Sequence, residues 1–316
     1  MVIKVDLQKA YDRVNWSFLR AVLLKFRFHE VFVFWVMQCV STVSFSVLIN
    51  GGKSKCFQPS RGLRQGDPLS PYLFILCQEV FLRLIDKEIA AGVISGVSMN
   101  RNGPAFMNVM YADDIMLFTK ASNREVQALD ACLEKYYQWS GRLVNREKFG
   151  LIFSKLVTRE RKKAIKLELN MKSVHQNAIY LGAPLFTSRN RSKDFKFLQE
   201  RLESKLKGWR CKALSWAGRN TLIKSVAQAL PNYTFLSFDV PGSVCNKLDA
   251  VTRRFWWNPK KDWKSWDHLC LPKSLGGLRF RSSKKFNDAL LAKLTWMVLS
   301  KRDSCCIKAL RSKYKV

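Results

Sequence analysis

The chain has 316 residues, 47% of them apolar, and sets 55 Lys and Arg against 24 Asp and Glu for a formal net charge of +31. This excludes a disordered or fibrous chain and provides for one large core or two modest ones. A surplus of this size points to a polyanionic partner, nucleic acid ahead of an anionic membrane surface.

The charge is uneven. Residues 1–150 hold 19 basic and 13 acidic residues, net +6, whereas 151–316 hold 36 and 11, net +25, so the two halves are expected to do different work. Nine cysteines (39, 56, 77, 132, 211, 245, 270, 305 and 306) form no C-x-x-C pair, which suits reduced intracellular thiols. His268, Cys270, Cys305 and Cys306 match no familiar zinc spacing.

In chain order, "VIKVDL" (2–7) is a β-branched run ending on a carboxylate. Residues 16–40 read as helical through Trp16, Leu19, Leu23 and Phe26, and 42–57 as two strands joined by a Gly-Gly turn. The uncharged run Val31 to Gly52 carries Gln38, Ser41, Thr42, Ser44, Ser46 and Asn50, so it reads as a buried helix entering a strand and not as a membrane span. After the loop "RGLRQGDPLSP" (61–71), Phe74, Cys77, Phe81 and Leu84 give a helix to about Ala91. Residues 105–119 read as strand, turn, strand. Ser122 and Glu125 then form an S-x-x-E capping box for a helix with Val126, Leu129, Leu133 and Tyr136 on one face, ending at Gly141. "GLIFS" (150–154) is a further strand. This order predicts an α+β domain over 1–186, an antiparallel sheet with helices on one face.

Beyond about 187 the pattern becomes helical. Phe195, Leu198, Leu202, Leu206 and Trp209 line one helix, and Leu222, Ile223, Val226 and Leu230 another, stopped at Pro231. The expected organisation is a helical subdomain over 187–255 and a basic, Trp-rich extension over 256–316, the latter ending in a helix with Phe286, Leu290, Leu294 and Met297.

Two adjacent carboxylates, Asp113 and Asp114, lie inside the apolar segment "NVMYADDIMLFT" (108–119). Alone they read as a solvated turn. With Asp6, at the end of another apolar strand, they could converge on one spot, and three acids so placed need a cation. Oxygen-only ligands select a hard ion such as Mg²⁺. A pair of such ions suits nucleotidyl or phosphoryl transfer, or phosphodiester hydrolysis.

"KVDLQKAYDRVNW" (4–16), "RGLRQGDPLSPYLF" (61–74), "YADDIMLF" (111–118), "SGRLVNREKFG" (140–150) and "YLGAPL" (180–185) resemble, in order and rough spacing, the polymerase motifs of reverse transcriptases. They are most similar to those of plant non-LTR (long interspersed) retrotransposons, and "LCLPKSLGGLRF" (269–280) is similar to a segment that follows the polymerase there. The resemblance implies an RNA-directed DNA polymerase palm followed by a thumb, acting on an RNA template, a DNA primer and dNTPs in the nucleus. It implies two Mg²⁺ ions, replaceable by Mn²⁺, held by Asp6 and Asp113 with Asp114 in support. It places Tyr11 where an aromatic side chain blocks a ribose 2′-OH, and Arg64, Gln65 and Gly66 in the loop beneath the incoming nucleotide. Lys148 takes the place of a lysine proposed to protonate the leaving pyrophosphate. The family's fingers should precede Asp6, where five residues stand, and endonuclease and ribonuclease H regions are also expected to be missing. The expectation is thus an impaired polymerase core, the alternative a catalytically silent relic that only binds nucleic acid.

Overall fold

The computed structural model describes residues 1–316 apart from 101–102, 142, 145–149, 171–178, 209–212, 258–263 and 315–316; at 6–8, 143 and 144 it describes the backbone alone. The chain forms two compact units, Met1–Gln176 and Asn177–Val316. The second holds both the helices beyond residue 187 and the tail beyond 256.

The first unit is built around β1 (Val2–Gln8). Two small hairpins, β2 (Leu48–Ile49) with β3 (Gly52–Lys53) and β4 (Val97–Ser98) with β5 (Ala105–Phe106), stand apart from its sheet. β6 (Asn108–Tyr111) and β7 (Asp114–Phe118) form an antiparallel hairpin, and β7 runs antiparallel to β1 from Val2↔Phe118 to Asp6↔Asp114. On its other edge β1 pairs with β8 (Leu143–Val144) and β9 (Gly150–Ile152). Side chains alternate between the faces of a strand. Ile3 and Val5, with Leu117 and Ile115 across from them, are fully buried on one face, and Lys4 belongs to the other.

The helices are α1 (Trp16–Lys25), α2 (Glu30–Ser41), α3 (Ser70–Ala90), α4 (Asn123–Ser140) and α5 (Arg159–Glu168). Leu19 and Leu23 of α1, Phe74, Cys77, Phe81 and Ile85 of α3, and Val126, Leu129, Leu133 and Tyr136 of α4 share one core with the sheet's buried face. The helices therefore cover that face as the sequence order predicts.

Four local expectations are corrected. The helix expected over 16–40 is two helices, because Arg27 adopts a left-handed conformation (φ +62°) and His29 Nδ1 accepts the Val31 N–H to start α2. The uncharged run is not a buried helix: Val31, Phe32, Phe34 and Trp35 are exposed, because α2 meets the core along one stripe, Val33, Val36, Met37 and Val40. The turn of the 42–57 hairpin is Asn50–Gly51, both at positive φ. Ser122 does cap α4 by accepting the Glu125 N–H, but the Glu125 carboxylate does not complete a capping box. It accepts instead from Thr119 Oγ1 (2.6 Å), Ser95 Oγ (2.9 Å) and the N–H groups of Lys120 and Ser95.

The second unit opens with a hairpin, β10 (Ile179–Tyr180) and β11 (Ala183–Pro184), followed by α6 (Arg191–Asp194) and α7 (Lys196–Leu206). Next come α8 (Trp216–Leu222), continued by a π-helical turn at Ile223–Ala227, then α9 (Asn232–Ser237), α10 (Gly242–Trp257), α11 (Trp266–Cys270), α12 (Ser283–Leu299) and α13 (Cys305–Tyr314). Phe195, Leu198, Leu202 and Leu206 pack on Phe235, Val244, Cys245 and Leu248; Trp209 lies outside the described residues. On α12 the expected stripe is half-buried, and the fully buried residue is Asn287. Its amide donates to the carbonyls of Phe235 and Phe238, and its oxygen accepts from Val240 N–H, so one polar side chain satisfies the chain turn after α9. Among the described residues no helix is long and apolar enough to cross a membrane.

Candidate active site

The β1–β7 register brings together positions more than a hundred residues apart in sequence. Asp6 pairs directly with Asp114, and Asp113 is the second residue of the two-residue turn Ala112–Asp113 closed by Tyr111↔Asp114. Ile115 is on the buried face, so its neighbour Asp114 is on the face turned away from the helical core. Asp113 is exposed at the crest and Asp114 partly buried. The Asp6 side chain is outside what is described.

Two side chains that the sequence reading did not single out hold this hairpin. Gln78 of α3, only 5% exposed, donates from Nε2 to the Ala112 carbonyl at 2.6 Å. Ala112 itself has φ +50°, a conformation that non-glycine residues seldom adopt and that persists where the surroundings enforce it. On the open face, Lys4 Nζ lies 3.4 Å from Asp114 Oδ1. Both had a signal in the sequence. Gln78 interrupts the apolar stripe at four residues after Phe74 and three before Phe81, and Lys4 is two residues before Asp6, hence on the same strand face.

The Gly-rich loop is fastened to the segment just after Asp6. Gly62 N–H donates to the Val14 carbonyl, Leu63 N–H to Tyr11 and Trp16 Nε1 to Gly62, each at 2.8 Å. Gly62 (φ +96°) has no room for a side chain, since a Cβ there would meet the Asp12 carbonyl oxygen at 2.7 Å. Tyr11, half-buried, stacks on Phe74 with centroids 4.5 Å apart and planes within 2°. Packing and substrate contact are both open to a ring so placed. Gln65 is exposed and donates to Asp12 Oδ1 at 3.4 Å. Gly66 (φ +89°) has open space where a Cβ would be, so positive φ, not crowding within the chain, is what calls for glycine there. Arg64, exposed, lines a cavity of ≈ 230 Å³ with Asp12, Arg61, Asp67 and the rings of Phe45 and Phe57. Lys148 lies outside the described residues.

Another carboxylate, Glu125, is buried at the opposite end of β7 from Asp114, against Thr119 and Ser95. Burial pushes the Glu125 carboxyl up, but hydrogen bonds from Thr119 and Ser95 outweigh it and, with the two backbone N–H groups, hold it below the usual carboxylate range.

Asp6 and Asp114 are thus paired on two neighbouring inner strands of the sheet, with Asp113 in the adjoining turn and the 61–66 loop tied to the segment that follows β1. The chain belongs to the reverse transcriptase (RNA-dependent DNA polymerase) family, whose model matches residues 1–198. A protein of Arabidopsis thaliana bearing the name ribonuclease H protein is 36% identical over 138 residues, 42% of this chain and 22% of that one. The transposon TX1 149 kDa protein of Xenopus laevis is 26% identical over 279 residues, 87% and 21% of the two chains. The Pol polyprotein of the type-2 retrotransposable element R2DM of Drosophila melanogaster is 28% identical over 197 residues, 62% and 17%. The chain spans about a fifth of the length of these relatives.

Proposed function

We propose that this chain is the RNA-directed DNA polymerase core of a non-LTR retrotransposon, with residues 1–186 as palm, 187–255 as thumb and 256–316 as a basic extension. The observation that carries the reading is the register Asp6↔Asp114 with Asp113 in the adjoining turn, which joins two separate motifs at one point. The donor set is carboxylate oxygen, the chemistry that hard divalent ions require. Asp6 and Asp113 would hold two Mg²⁺ ions, or Mn²⁺, with Asp114 in support. When bound, such ions lower the pKa of an attacking hydroxyl and neutralise charge on a leaving phosphate.

The chain's own residues bind and orient. The Arg64-Gln65-Gly66 loop, fixed to the Tyr11–Trp16 segment, offers a guanidinium, an amide and an unobstructed backbone to a nucleotide and its template base. Tyr11 is the candidate barrier to a ribose 2′-OH, and Lys148 the candidate acid for departing pyrophosphate. The second unit holds 29 Lys and Arg against 9 Asp and Glu, net +20, a charge suited to gripping an RNA–DNA duplex through its phosphates. A nuclear setting belongs to the same proposal.

The test pairs Mn²⁺ titration by calorimetry with DNA primer extension on an RNA template, using the chain and its Asp6→Ala and Asp113→Ala variants. Loss of Mn²⁺ binding and of whatever extension the parent shows is expected in both variants. Ion binding unchanged in both would overturn the reading. The charge of the second unit also favours a silent nucleic-acid binder. Salt-sensitive duplex binding with neither ion binding nor extension would establish that instead.

A further inference from the structure

The open face of the sheet brings a cation of its own. Lys4 stands opposite Met116 in the β1–β7 register, one pair along the same face from Asp6↔Asp114. Its ammonium is 3.4 Å from Asp114 Oδ1, and the two side chains are 24% and 30% exposed. Like charges directly opposed on neighbouring strands destabilise the pair, and here Asp113 adds a third carboxylate one residue away. A lysine at this spot offsets that repulsion with no divalent ion present. With one bound, the same ammonium becomes a like charge a few ångströms from it.

We propose that Lys4 is the resident counter-ion of the aspartate cluster: it pairs with Asp114 in the metal-free protein and gives up that pairing when a divalent ion binds. Lys4 is therefore a positioning residue that sets how much ion the site needs. This rests on the metal-ion reading above, and it makes two effects of one substitution run in opposite directions. Removing the ammonium takes away support from the metal-free sheet and removes competition against the ion.

The experiment is Mn²⁺ titration and thermal unfolding of the full 316-residue chain with Lys4→Met, Lys4→Gln and Lys4→Arg. Met and Gln match the length of the lysine stem, so circular dichroism should show both folded. Expected are a lower melting temperature without metal, Mn²⁺ affinity raised about fivefold, the scale of a partly exposed ion pair, and a larger upward shift of melting temperature at saturating Mn²⁺. Lys4→Arg should behave as the parent. Mn²⁺ affinity unchanged or weakened in both folded neutral variants would overturn the proposal while leaving the metal site standing, provided that Asp113→Ala still abolishes binding. Mn²⁺ binding absent from the parent and both neutral variants, or indifferent to Asp113→Ala, would overturn both.

Discussion

Replacing Gln78 with Met removes one hydrogen bond and little else, because Met has nearly the same length and suits the apolar stripe of α3. The bond lost is the 2.6 Å link from Nε2 to the Ala112 carbonyl, from a side chain that is 5% exposed. A typical net hydrogen bond contributes about 1 kcal/mol, and a carbonyl left dry costs about 1–3 kcal/mol. At about 1.4 kcal/mol per factor of ten, this range of about 1–3 kcal/mol means that the crest Tyr111–Asp114 should open about 5- to 140-fold more often. Hydrogen exchange with mass spectrometry on peptides covering 108–118 measures this directly. For a unit of this size the melting temperature should fall by about 2–12 °C. Gln78→Glu should cost more at neutral pH, because it sets a carboxylate against a carbonyl, and should recover on acidification as the carboxyl becomes a donor. Exchange at the crest identical in parent and Gln78→Met, with equal melting temperatures, would refute the view that this amide holds the turn.

Gly62→Ala should destabilise the first unit by about 2 kcal/mol or more, since it pairs a positive φ with a Cβ 2.7 Å from the Asp12 carbonyl oxygen; denaturant unfolding checks this, and an unchanged midpoint would contradict it. Glu125→Gln should cost about 1–3 kcal/mol at pH 7, because an amide cannot accept from all four of its donors. The sign with pH follows from the lowered carboxyl. Its contribution is fully present above the ordinary value of 4.5 and is lost as pH falls through the lower folded value. The parent should therefore lose its advantage over Glu125→Gln in acid, and a gap between the two that holds constant down to pH 2 would count against the assignment.

Short apolar, β-branched runs made β1, β6 and β7 legible along the chain, and 3.6-residue periodicity did the same for α3 and α4, because both signals are local. The local signals that failed depended on partners. Arg27 turns left-handed to separate α1 from α2, Trp35 faces outward from a run that reads as core, and the Glu125 carboxylate leaves its own helix for Ser95 and Thr119.

The same division holds at the site. Asp6, Asp113 and Asp114 stand out in the sequence as carboxylates among apolar residues, and their motif order was sufficient to indicate the family. Sequence could not say that Asp114, not Asp113, is the residue directly opposed to Asp6, because strand register is set by which faces a sheet buries and not by the spacing of motifs. Nor could it say that Gln78 reaches the turn or that Lys4 pairs with Asp114. Those contacts exist only once β1, β7 and α3 have been brought side by side by a core made of other residues.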